Sequence, residues 1–121
     1  LAVVKRALGL FARMGTGAVL MPAALRGSYH VAALAGAPLV FSIPPKTQRL
    51  LGEEDPPRQI AFDRPVAPDA LERLMAVPEF RRAYEPDGMS PHDFITYGAT
   101  QRTLTQFVEV GWAPMENYEL P

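Results

Sequence analysis

Apolar residues recur at three- and four-residue steps from the first positions of the chain: Val4, Ala7, Leu8 and Phe11 line one face of a helix over Leu1–Met14. Gly15-Thr16-Gly17 follows as a helix stop. The pattern then changes. Ala18-Val19-Leu20-Met21 is a short run apolar on both faces, the form of a strand buried in a parallel sheet. Pro22 to Gly27 reads as a loop, with Ser28 as the cap of a helix over Tyr29–Ala35 and Gly36 as its stop. Pro38 to Ile43 is a second apolar strand, broken by Pro44-Pro45, and Lys46–Leu51 begins a further helix. Alternation of this kind predicts parallel βα units.

Residues 53–67 read as a connector, acidic at Glu53-Glu54-Asp55 and rich in proline. Helix resumes at Pro68, with Leu71 and Leu74 toward the core. Val77-Pro78 interrupts it, and Phe80–Tyr84 forms another short helix. Ser90-Pro91-His92-Asp93 is a capping sequence for one long last helix. That helix carries Phe94, Tyr97, Gln101, Leu104, Phe107 and Val108 and ends at Gly111, before an irregular tail from Trp112 to Pro121. Two parallel strands need both faces covered and further strands beside them. The expected fold class is therefore α/β: the C-terminal portion of a (β/α)8 TIM barrel, its last two βα units in residues 1–52, followed by extra C-terminal helices in 68–121. On this reading 1–121 is a single partial domain. A chain that opens inside an amphipathic helix, with no cap before it, also reads as a piece of something longer.

Composition narrows the function classes. The 121 residues are 48% hydrophobic and 21% charged, with a formal net charge of −1. That balance offers no basic footprint for nucleic acid. No apolar run approaches a membrane span of about 20 residues. With no cysteine there is neither disulfide nor thiolate metal site, and a cytoplasmic location is expected.

Ligands of parallel α/β folds bind at the C-terminal ends of strands. Arg26, in the loop after the first strand, has the forked guanidinium suited to phosphate and precedes a helix N-terminus. It reads as an anion grip assisted by Ser28, or as a surface arginine, and spacing alone favours neither. Ser42 faces a substrate pocket or is a satisfied core hydroxyl. His30 and His92 lack metal-spaced partners and read as structural or surface residues, and no metal site is expected. Lys5 and Lys46 are the only lysines, and both read as solvated rather than as Schiff-base lysines, which need a pocket that lowers their pKa. The acidic run at 53–55 reads as solvent-facing, and Phe107, Trp112 and Tyr118 as packing residues.

The segment Met21-Pro22-Ala23-Ala24-Leu25-Arg26-Gly27, a helix, and then Leu34 to Lys46 resembles the seventh and eighth βα units of the transaldolase family. Phe80 to Met89 resembles that family's aromatic-rich C-terminal segment. The order and spacing of these stretches, from about Leu1 to Val108, carry the likeness. It implies a class I aldolase-type enzyme. Such an enzyme transfers a dihydroxyacetone unit between sugar phosphates through a lysine Schiff base, with no cofactor. The family's phosphate arginine falls on Arg26 and its phosphate serine on Ala24, which has no hydroxyl. Its lysine and assisting carboxylates lie on earlier strands, so no catalytic residue is expected in this chain. The partners implied are a sugar phosphate and the remaining barrel strands. The alternative is a non-catalytic piece that binds a sugar phosphate or completes a partner.

Overall fold

A computed structural model describes residues 1–119 of the chain. It corrects the fold class. Helices dominate, and among the described residues there is no sheet, so this is not part of a β/α barrel. The two expected strands meet in parallel at a single bridge, Leu20 to Leu39. The Val40 amide donates to the Leu20 carbonyl at 3.0 Å, and the Ser42 amide to the Pro22 carbonyl at 3.2 Å. In a parallel ladder the donor between those two bonds is the nitrogen of residue 22. Pro22 has no hydrogen to give, so the ladder stops. Val19 and Met21 are more than three-fifths exposed, where a buried strand would have hidden them.

The chain forms two compact units, Leu1–Arg73 and Leu74–Pro121. In the first, α1 (Ala2–Met14) ends at Gly15 in the left-handed conformation. Helix α2 (Ser28–Ala33) starts one residue earlier than the sequence predicts and ends two earlier, and α3 (Pro45–Glu54) starts one residue earlier and runs three residues further. The core of this unit is small: Ala2, Leu25, Leu34 and Ala61 are its buried apolar residues, with Ser28 and Thr47 buried beside them. Residues 57–67 are not a loose connector. The amides of Ala61 and Phe62 donate to the Ala35 carbonyl at 3.0 and 3.3 Å. Gly36, at φ 84°, turns the chain there, and the Ile60 side chain fills the space that a Cβ would need. Lys5 of α1 holds the same segment from its other side. Its ammonium donates to the carbonyls of Arg64 (2.6 Å) and Ala61 (3.2 Å). The reading of Lys5 as solvated is thereby corrected: the residue is half-buried and its head satisfies backbone acceptors.

Helix α4 (Pro68–Met75) carries the chain from one unit into the next. It buries no residue, and Leu74 is exposed rather than in the core. In the second unit, α5 (Pro78–Tyr84) stacks Phe80 on Tyr84 with ring centroids 5.3 Å apart. Tyr97 donates to the Glu79 carbonyl at 3.2 Å and lies under the Arg82 guanidinium, 5.7 Å from its ring centre. The single last helix of the sequence reading is broken into four pieces. A 3-10 turn, Pro91–Ile95, comes first, then α6 (Gly98–Gln106), a wide π-turn at Phe107–Trp112, and α7 (Ala113–Glu116). Gly111 does not end the helix. The ladder widens through it, with the Ala113 amide donating to the Val108 carbonyl, and continues into α7. The expected irregular tail is thus helical as far as Glu116, and its residues 120 and 121 lie outside the described residues. Phe107, Val110, Trp112 and Met115 are all exposed.

The cap at Ser90 has the expected chemistry. The Asp93 carboxylate accepts from the Ser90 amide at 2.7 Å and from its hydroxyl at 2.9 Å. The Ser90 amide bond, then the hydroxyl bond, holds the Asp93 carboxyl below its ordinary pKa. A carboxyl lowered in the folded state contributes stability that is complete above its unfolded pKa and lost as pH falls through the lower folded value. The Asp93 carboxyl resonance is expected to titrate below the usual aspartate midpoint, and Ser90→Ala to move that midpoint up. An unchanged midpoint would mean that the cap does not form in solution. A second expectation concerns Gly88, where an added Cβ would stand 2.2 Å from the Arg82 carbonyl oxygen, a backbone atom that cannot step aside. Gly88→Ala should cost about 1–3 kcal/mol in denaturant unfolding, the scale of forced overpacking.

Candidate functional site

The loop of residues 22–27 and the first turn of α3 form the two walls of one cleft. Ala24, Leu25 and Arg26 line it from the loop, Lys46 and Thr47 from α3, and Pro44 from the position just before α3. Its volume is about 510 Å3, within the range of small-molecule sites. Pro44 and Pro45 set where α3 begins, because proline pre-forms the first helical turn and cannot extend the strand-like segment before it. Residues 46 and 47 are thereby fixed at the helix N-terminus. No side chain caps it, and the amides of Lys46 and Thr47 belong to the donors that an α-helix leaves unpaired.

One buried hydrogen bond joins the walls. Thr47 is 3% exposed, and its hydroxyl donates to the Leu25 carbonyl at 2.9 Å. Arg26, the next residue, is held on its backbone side as well, since its amide donates to Nδ1 of His30 at 3.3 Å. For that bond the His30 nitrogen must be unprotonated. Burial first, and the positive chain N-terminus second, lower the His30 pKa, with a bond to Gly27 opposing them. The His30 ring also lies tilted against Tyr29, with centroids 4.1 Å apart. Ala24 takes a left-handed φ of 56°, which an alanine adopts only when its surroundings hold it there.

The residues singled out in the sequence divide clearly. Arg26 is exposed on the cleft. Ser28 is not a second ligand group: it is buried inside α2, it does not line the cleft, and its hydroxyl donates to the Glu54 carboxylate. Nor does it cap α2, whose cap residue is Gly27. Ser42 is exposed and also stands outside the cleft lining. Of the acidic run, Glu54 serves Ser28, and Asp55 pairs with Arg58 at 3.1 Å. His92 lies exposed on the 3-10 turn. Among the described residues no group of three His, Asp or Glu side chains is placed to hold a metal ion. Lys46 opens α3 behind the double proline, as the sequence reading placed it, and Thr47 is the feature that reading missed. The double proline was the available signal, since it fixes Thr47 in the same first turn.

The fold and cleft define a helical protein whose first unit presents a cationic pocket at the start of a helix. No family model matches the chain, and neither a curated protein nor a solved structure is significantly similar to it. No helix among the described residues is long and apolar enough to cross a membrane.

If the Thr47 bond holds the cleft together, Thr47→Val should cost about 1–3 kcal/mol, because the isosteric side chain leaves the Leu25 carbonyl without its donor. Ser28→Ala should cost less, about 1 kcal/mol, because the exposed Glu54 carboxylate turns to water. Urea unfolding measures both, and equal losses would contradict this assignment.

Proposed function

We propose that the chain binds a phosphorylated small molecule in the cleft between the Arg26 loop and α3, without itself carrying out ketol transfer. The observation that carries this reading is that Arg26 lines the same cleft as the uncapped start of a ten-residue helix, and no acidic residue lines it. A guanidinium presents a planar fork of donors to phosphate oxygens, and free amides at a helix N-terminus add donors aligned with the positive end of its dipole.

The resemblance to transaldolases supports a sugar phosphate as the ligand, since that family's phosphate arginine falls on Arg26. Ala24 offers no hydroxyl where the family has its serine, and the amides of Lys46 and Thr47 are the donors that would stand in for it. The reading that this chain does not itself carry out Schiff-base transfer is supported by its lysines. A Schiff-base nucleophile must be an unprotonated amine with no fixed partner. Lys5 is committed to two backbone carbonyls, and Lys46 is exposed.

Fructose 6-phosphate titrated into the 121-residue chain should bind, and Arg26→Ala should weaken it by about 1.5–3 kcal/mol, the contribution of a charge-assisted hydrogen bond. Borohydride added to the complex should trap no covalent adduct. Unchanged affinity in the variant would remove Arg26 from the site, and a trapped adduct at Lys5 or Lys46 would overturn the non-catalytic reading.

A further inference from the structure

The geometry points to Lys46 as the second cation of this cleft, the group that lets it distinguish a dianionic phosphate monoester from a monoanionic ester of the same shape. The inference rests on the anion-binding reading above and extends it from the sign of the ligand's charge to its magnitude.

Arg26 and Lys46 both line the cleft, one from the loop and one from the second residue of α3. The remaining polar side chain in the lining, Thr47, has its hydroxyl proton committed to Leu25. Neither the guanidinium of Arg26 nor the ammonium of Lys46 has a hydrogen-bond or ion-pair partner among the described residues. Several other cations of the same unit use donors within the protein: Lys5 on two carbonyls, Arg58 on Asp55 and Arg64 on the Gln59 side-chain oxygen. Arg13 and Arg49 also lack a side-chain partner among the described residues, but neither lines the cleft. Two unpaired positive charges lining one cleft with no carboxylate favour an anion there. Their division of labour follows from their shapes. The guanidinium fork fixes two oxygens in a plane, whereas the ammonium is a compact point charge that responds to the ligand's total charge. A phosphate monoester carries its second negative charge above a pKa of roughly 6, while a sulfate ester never acquires one.

The test uses the full chain with phenyl phosphate and phenyl sulfate at about pH 8, read by calorimetry or by amide shifts in NMR. The wild-type chain should prefer the phosphate by about tenfold, equivalent to about 1.4 kcal/mol. Lys46→Met should remove most of that preference, weakening the phosphate and leaving the sulfate within about twofold, because the Lys46 backbone amide remains in place. Arg26→Met should weaken both ligands. If Arg26→Met weakens both but Lys46→Met leaves their ratio unchanged, the role of Lys46 is overturned and the anion site stands. If Arg26→Met affects neither, or the wild-type chain binds neither, the anion-binding reading falls and Lys46 falls with it. Thermal melting of both variants should match the wild type, since both side chains are exposed.

Discussion

The buried hydrogen bond from Thr47 to the Leu25 carbonyl is what the first unit's cleft depends on. It joins two segments 22 residues apart in the chain, at a point where neither a sheet nor a large core would hold them. On one side of it lies the loop that carries Arg26, and on the other the first turn of α3 that carries Lys46. The Ser42–Pro22 and Ser28–Glu54 bonds tie neighbouring parts of the same two segments, but neither of them lies in the cleft. The leverage of the Thr47 bond comes from its setting, because a donor and acceptor removed from water lose far more when separated than an exposed pair does.

Backbone carbonyls are the common acceptors in this unit. Thr47 serves Leu25, Lys5 serves Ala61 and Arg64, and Ala35 receives the amides of Ala61 and Phe62. With four buried apolar residues, polar contacts of this kind take on the positioning that a larger core would otherwise supply. This makes the pairing state of the cations informative. Lys5 is structural because its donors are used internally, and Arg26 and Lys46 are candidates for ligand because theirs are not and both line one cleft.

The second unit shows how local chemistry and long-range order separate. Its capping box at Ser90 and Asp93 forms as the residue types require, yet the helix that the cap should begin lasts only one 3-10 turn. Beyond it, Tyr97 reaches back to the Glu79 carbonyl, and the ladder widens at Phe107–Trp112 before α7. The apolar side chains of the π-turn and α7 keep their helical spacing, and they remain in the open.

The sequence by itself determined the features that depend on neighbours a few residues away: the α1 pattern and its glycine stop, the double-proline start of α3, the cap at Ser90 and the exposure of Arg26. It also brought Leu20 and Leu39 side by side in parallel, but it could not make them a sheet. Apolar runs report burial demand, whereas a ladder needs an unbroken series of amide donors, and Pro22 interrupts that series where the two segments meet. The hydroxyl roles were decided only by tertiary structure. Ser28 and Thr47 look alike in the sequence, each at the start of a helix, and a hydroxyl bonds whatever acceptor the fold brings within reach. That acceptor was Glu54 for Ser28, which took it out of the site, and Leu25 for Thr47, which built the site.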